Sequence, residues 1–140
     1  MPDCYLLAVC SGSALDQSSN NFSLFGLVEQ LQVREAPSVL PLEVHVYWEF
    51  EPAELNEEFE MRLVLIRDGR DLSTSAPIPF HSATPRFRIR LAGFEAREPG
   101  SFHLKVDWQR PGSSNWNRMA ISWPIQVEVL GEQARRAESP

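Results

Sequence analysis

No stretch of this sequence approaches the ~18 consecutive apolar residues of a membrane-spanning helix, so the chain is expected to be soluble and to have no membrane partner. Cysteine is nearly absent. Cys4 and Cys10, six residues apart in one apolar segment, would lie ~20 Å apart along a strand rising ~3.3 Å per residue, too far to bridge each other. They are expected to be buried, inert thiols, and no Cys/His pair elsewhere offers zinc-ligand spacing. No basic residue precedes the apolar stretch Tyr5–Cys10, as a secretory signal would require, so that stretch is assigned to a first strand and the protein to the cytoplasm. Lysine occurs once, at Lys105, against twelve arginines, and the net charge of −6 speaks against a generic nucleic-acid binder, which normally carries a basic stripe.

Catalytic signatures are missing as well. There is no Gly-x-Ser-x-Gly elbow, no His-Glu-x-x-His, no glycine loop to cradle phosphate and no Asp-rich calcium loop. The three histidines, His45, His81 and His103, fall on different predicted elements, with His45 and His103 at polar-face positions where an exposed imidazole is the default. The sequence therefore assigns no catalytic, cofactor-binding or metal-ligating residue, and no cofactor.

What the chain has in abundance is period-two alternation. Leu42, Val44, Val46, Trp48 and Phe50 alternate with Glu43, His45, Tyr47, Glu49 and Glu51, and the pattern recurs at Phe59-Met61-Leu63-Leu65, Phe87-Ile89-Leu91, Phe102-Leu104-Val106-Trp108 and Ile121-Trp123-Ile125-Val127-Val129. Successive side chains of a strand point to opposite faces, so these are strands with one dry face and one wetter face. Strands are predicted at 3–11, 21–33, 41–51, 58–67, 75–80, 85–92, 100–109 and 116–129. Ser11-Gly12-Ser13, the polar run from Asp16 to Asn21, Asp68-Gly69, Pro99-Gly100 and the 111–115 segment separate them, and Glu51–Glu57 has room for one helical turn. Gly26 within a strand points to a bulge or a close backbone approach, and Pro124 to an edge or irregularity. Seven or eight short strands at regular spacing predict an all-β chain, an antiparallel two-sheet β-sandwich of immunoglobulin-like architecture, with a β-barrel as the alternative. A single domain over 1–130 is followed by a charged, flexible tail over 131–140.

Four features bear on binding. Tyr5–Cys10 and Phe22–Val28 are apolar on both faces, as strands covered on both sides are. Arg86, Arg88 and Arg90 place three guanidinium groups on one face of one strand, where they either grip an acidic partner or are neutralised across strands by glutamates such as Glu43, Glu49, Glu58 and Glu60. Residues 41–60 hold seven acids and no Lys or Arg, a solvated edge or a lure for a basic partner. Trp48, Trp108 and Trp123 share the register of the core aliphatics, whereas Trp116 follows the Pro-Gly-Ser-Ser-Asn loop, presented for contact or packed back over the core.

The apolar first strand with its cysteines, Phe22-Ser23-Leu24-Phe25-Gly26-Leu27, the Leu40-Pro41 strand entry, Arg67-Asp68-Gly69 and Pro99-Gly100-Ser101-Phe102-His103-Leu104-Lys105-Val106 together resemble small uncharacterised bacterial β-sandwich proteins over about residues 3–129. The resemblance implies the sandwich fold, a bacterial origin and a protein that is not secreted; it carries no catalytic residue across. The expected function is that of a non-catalytic accessory module binding another protein or itself, with Trp116, Arg86, Arg88 and Arg90 as candidate partner-binding residues. The alternatives are a carbohydrate-binding module and a cryptic hydrolase or metal-dependent enzyme.

Overall fold

The computed structural model describes residues 1–131, and of residues 91–95 the backbone alone. The predicted tail lies, but for Gly131, outside the described residues. One sheet has the order β2-β1-β4-β8, built from β1 (Asp3–Asp16), β2 (Asn21–Leu27), β4 (Ser38–Glu49) and β8 (Arg86–Ala96). The other runs β3-β10-β9-β5-β6, from β3 (Gln30–Val33), β10 (Asn117–Val129), β9 (Gly100–Gln109), β5 (Glu58–Arg67) and β6 (Arg70–Thr74), with β7 (Ile78–His81) also on β5. Among the described residues every pairing is antiparallel except that of β3 with β10. The two ladders do not join into a ring, so the chain is all-β in two sheets and the barrel alternative fails.

The alternating residues fill one core between the sheets. Val44, Val46 and Trp48 of β4 share it with Phe59 and Met61 of β5, Val106 of β9 and Ile125 and Val127 of β10. At one end the Trp48 ring stacks on Phe80 of β7 with centroids 5.0 Å apart, and Phe80 in turn lies against Phe59 and Phe87. Trp108 is buried as its register predicted; Trp123 is half-buried against the core and donates its Nε1–H to Val28 O at 2.7 Å.

Ten strands are described where seven or eight were expected, for local reasons. The predicted strand 21–33 is two: at Val28-Glu29 the chain passes from one sheet to the other, Val28 N donating to Val9 O and Gln126 N to Glu29 O. β6 escapes pattern recognition because every one of its residues is exposed, leaving no alternation to read, although the Asp68-Gly69 turn before it has both φ values positive, as a tight hairpin requires. Glu51–Glu57 holds a single 3-10 turn, Pro52–Glu54. Pro124 sits opposite His103 in β10, beyond the reach of β3, which covers β10 only from Gln126 onward.

β1 departs most from expectation. Ser11-Gly12-Ser13 is not a loop: the strand runs on to Asp16, pairing with β2 from Cys10 to its end. Tyr5 is an extra residue opposite β4, since Cys4 pairs with Trp48 and Leu6 already with Tyr47. That bulge reverses the strand's parity. Cys4, Leu7 and Val9 therefore enter the core, while Cys10 pairs with Glu43 on the opposite face.

Candidate functional site

On the outer side of β4, Glu43, His45 and Tyr47 stand in register with Cys10, Ala8 and Leu6 of β1 and with Arg90, Arg88 and Arg86 of β8. Parity alone makes this a wet face, and an exposed His45 was the expectation. It is wrong. His45 has 0% of its surface exposed, and Cys10 likewise 0%.

The cover is the far half of the β1–β2 hairpin. β1 pairs with β4 no further than Cys10, and if the register continued, Leu15 would lie beside Ser38. Instead Phe22, the partner of Leu15, packs edge-on against the His45 ring with centroids 5.8 Å apart and tilts against Tyr47 at 6.1 Å. The hairpin thus folds back across β4 as far as β8, where Arg86 donates to Asn20 O at 2.6 Å and lies over the Phe22 ring, and Arg88 reaches Ser13 Oγ at 3.4 Å. Flexibility at Gly12 and the left-handed Gly26, whose absent Cβ leaves space for the Ser11 hydroxyl, accommodate the bend.

Beneath this flap Glu43 is a hub. Its Oε2 accepts from Ser13 Oγ at 2.7 Å, lies 3.1 Å from His45 Nε2 and accepts from the Cys10 thiol at 4.0 Å, while Oε1 faces Arg90 Nε at 3.5 Å. The Ser13 hydrogen bond, more than the neighbouring imidazole and the Arg88 charge, holds the Glu43 carboxyl below its ordinary range. His45 Nδ1 meets the Tyr47 hydroxyl at 3.4 Å. Burial pushes the Cys10 thiol up, with the Glu43 charge adding to the effect, and burial pushes Cys4 up to about 12. Neither cysteine is disposed to form a thiolate nucleophile, and the imidazole engages Glu43 rather than the thiol, unlike an activated cysteine–histidine pair. What the cluster does offer is a sulfur, a nitrogen and an oxygen donor, mutually within 4.8 Å.

Set against models of protein families and against curated proteins, the chain matches none.

The predicted contact residues separate. Arg86, Arg88 and Arg90 do share one face of β8, but each touches the flap or the cluster below it: Asn20 and Phe22, Ser13, and Glu43 respectively. Of the glutamates considered as neutralising partners, Glu43 is the one in contact; Glu58 and Glu60 belong to β5 in the other sheet. Trp116 immediately precedes β10 of that other sheet and is half-buried, with the Arg62 guanidinium 4.4 Å from its ring centroid. Beside it Asp107, 1% exposed, accepts from Arg62 Nε and Arg118 Nε, each at 2.9 Å, and Arg118 also grips Asp71 with two hydrogen bonds of 2.9 and 3.0 Å. The histidines do not converge, for His81 pairs with Glu58 at one end of β5 and His103 with Ile66 near the other, both on the sheet that lacks His45. Sequence reasoning missed the Cys10–Glu43–His45 cluster because the bulge at Tyr5 and the folded-back hairpin are both invisible to a parity count.

Proposed function

We propose that this protein is a non-catalytic accessory module, a β-sandwich of immunoglobulin-like architecture that associates with a second copy of itself along the edge of β2. The contrast between the two edges of its four-stranded sheet carries this reading. An open edge is a template for further strand pairing, and proteins blunt such edges with charge. β8 is blunted by Arg86, Arg88 and Arg90. β2, Asn21-Phe-Ser-Leu-Phe-Gly-Leu27, has no charged residue, and it exposes Phe25 at 55% and Leu27 at 56%. The edges of the other sheet are short, with four residues in β3 and five in β6, and β6 carries Arg70 and Asp71. Antiparallel pairing of β2 with its own copy about a two-fold axis is self-complementary and places the same apolar side chains against each other. The two free cysteines favour a reducing compartment such as the bacterial cytoplasm.

A carbohydrate-binding reading would rest on Trp116, but Arg62 occupies one face of that ring, which weighs against a sugar-stacking platform. Light scattering on the purified full chain is expected to give the mass of a dimer, and Phe25→Asp the mass of a monomer that keeps the circular dichroism of the folded chain, since Phe25 is 55% exposed in the single chain. A wild-type protein that remains monomeric up to its solubility limit sinks the reading.

A further inference from the structure

We propose that Cys10, Glu43 and His45 form a binding site for a borderline transition-metal ion of the zinc type. Three of the donor kinds that zinc takes, a thiolate sulfur, an imidazole nitrogen and a carboxylate oxygen, are presented together by adjacent strands of one sheet face. Ligand bonds of ~2.0–2.3 Å in a tetrahedral arrangement set the donor atoms ~3.3–3.6 Å apart. Here Cys10 Sγ and Glu43 Oε2 are 4.0 Å apart, Glu43 Oε2 and His45 Nε2 3.1 Å, and all three donors lie within 4.8 Å. A side-chain adjustment of about an ångström, without backbone movement, converts this triangle into three vertices of such a tetrahedron. Ser13 Oγ, 2.7 Å from Glu43 Oε2, or a water takes the fourth vertex.

The surroundings suit a bound cation's ligands as well as the ligands themselves do. A metal-bound imidazole needs a partner on its second nitrogen to fix its tautomer. The Tyr47 hydroxyl beside His45 Nδ1 supplies it: with Nε2 on the metal, Nδ1 carries the proton and donates it to the hydroxyl oxygen. Arg90 approaches Oε1 of Glu43, leaving Oε2 for the metal and fixing the carboxylate's orientation. As it binds, the cation displaces the Cys10 proton to the solvent, and the resulting thiolate with the Glu43 carboxylate balances the divalent charge, so no net charge is buried under the flap. Cys4 takes no part, since it lies in the core on the far side of the sheet.

The test loads the reduced, chelator-stripped full chain with Co²⁺ and then Zn²⁺. One equivalent of Co²⁺ is expected to bind and to give the intense near-ultraviolet absorption of a thiolate-to-cobalt charge transfer, which Zn²⁺ displaces. Cys10→Ser abolishes that absorption, and Cys4→Ala keeps it. Loss of a direct ligand weakens zinc binding by at least ~100-fold, given that outer-shell changes alone cost ~10–100-fold, and Tyr47→Phe falls within that outer-shell range. Glu43→Gln provides a second ligand variant that keeps the side chain's shape, with the circular dichroism of each variant confirming its fold. The proposal is overturned if the folded wild-type protein takes up neither ion in stoichiometric amount. Charge-transfer absorption that survives Cys10→Ser, or zinc affinity unchanged in folded Glu43→Gln, overturns it equally.

Discussion

Asp107 is a carboxylate removed from water, and it is tolerated because three N–H groups of Arg62 and Arg118 take the place of its hydration. Removing it leaves Arg62 beside Trp116 with no counter-charge and Arg118 with Asp71 alone, so Asp107→Ala is expected to cost about 2 kcal/mol in urea unfolding, less than a fully buried pair because both guanidinium groups are partly exposed. Asp71 holds the same Arg118 from the solvent side. The Arg118 hydrogen bonds keep the Asp71 carboxyl below its ordinary value of 3.8. A carboxyl whose value is lowered on folding contributes stability that is complete above the ordinary value and lost as the pH falls through the lowered one. The melting temperature of the wild type should thus exceed that of Asp71→Asn at pH 6, and the gap should close below about pH 3.8. A gap that is constant with pH contradicts the assignment. Neither aspartate announces itself in the sequence. Asp107 sits at an outward position between Val106 and Trp108, and only the pairing of β5, β9 and β10 brings arginines from both sides onto it.

Among the elements, the β1–β2 hairpin depends on one residue that the sequence did single out. Gly26 has φ +60°, a conformation that costs an L-residue ~1–2 kcal/mol, and a Cβ there would fall 2.3 Å from Ser11 Oγ, displacing the hydroxyl from its bond to Phe25 O. Gly26→Ala is expected to destabilise the fold by about 1–2 kcal/mol in the same unfolding assay, and the added Ser11→Ala change to recover only the steric part. The strands themselves were legible wherever one face is dry. β4, β5, β9 and β10 follow the period of two because burial on a single face selects it. β6 was not legible, being wet on both faces, nor was the break at Val28-Glu29, where the apolar run continues while its hydrogen-bond partners change. The same limit explains His45: its place on the outer face was read correctly, and its burial is the work of Phe22, twenty-three residues earlier.

At the scale of the whole molecule, the two sheets meet in one core that accounts for the fold, while the distinctive chemistry lies on the outer face of the smaller sheet. Self-association through β2 would link stability to concentration, because a partner that binds only the folded chain stabilises it by mass action. The melting temperature of the wild type should rise with protein concentration and that of Phe25→Asp should not. The arginines of β8 acquire a role that their spacing alone could not reveal: Arg86 and Arg88 clasp the hairpin from the far side through Asn20 and Ser13, and Arg90 holds Glu43, to which Ser13 donates. Past Cys10 that hairpin is joined to the rest of the protein by side chains and has no backbone ladder to β4. Its outer half can therefore peel away as a unit while every core strand keeps its pairing, which gives an otherwise sealed trio of donor atoms a route to the solvent at far less than the free energy of global unfolding.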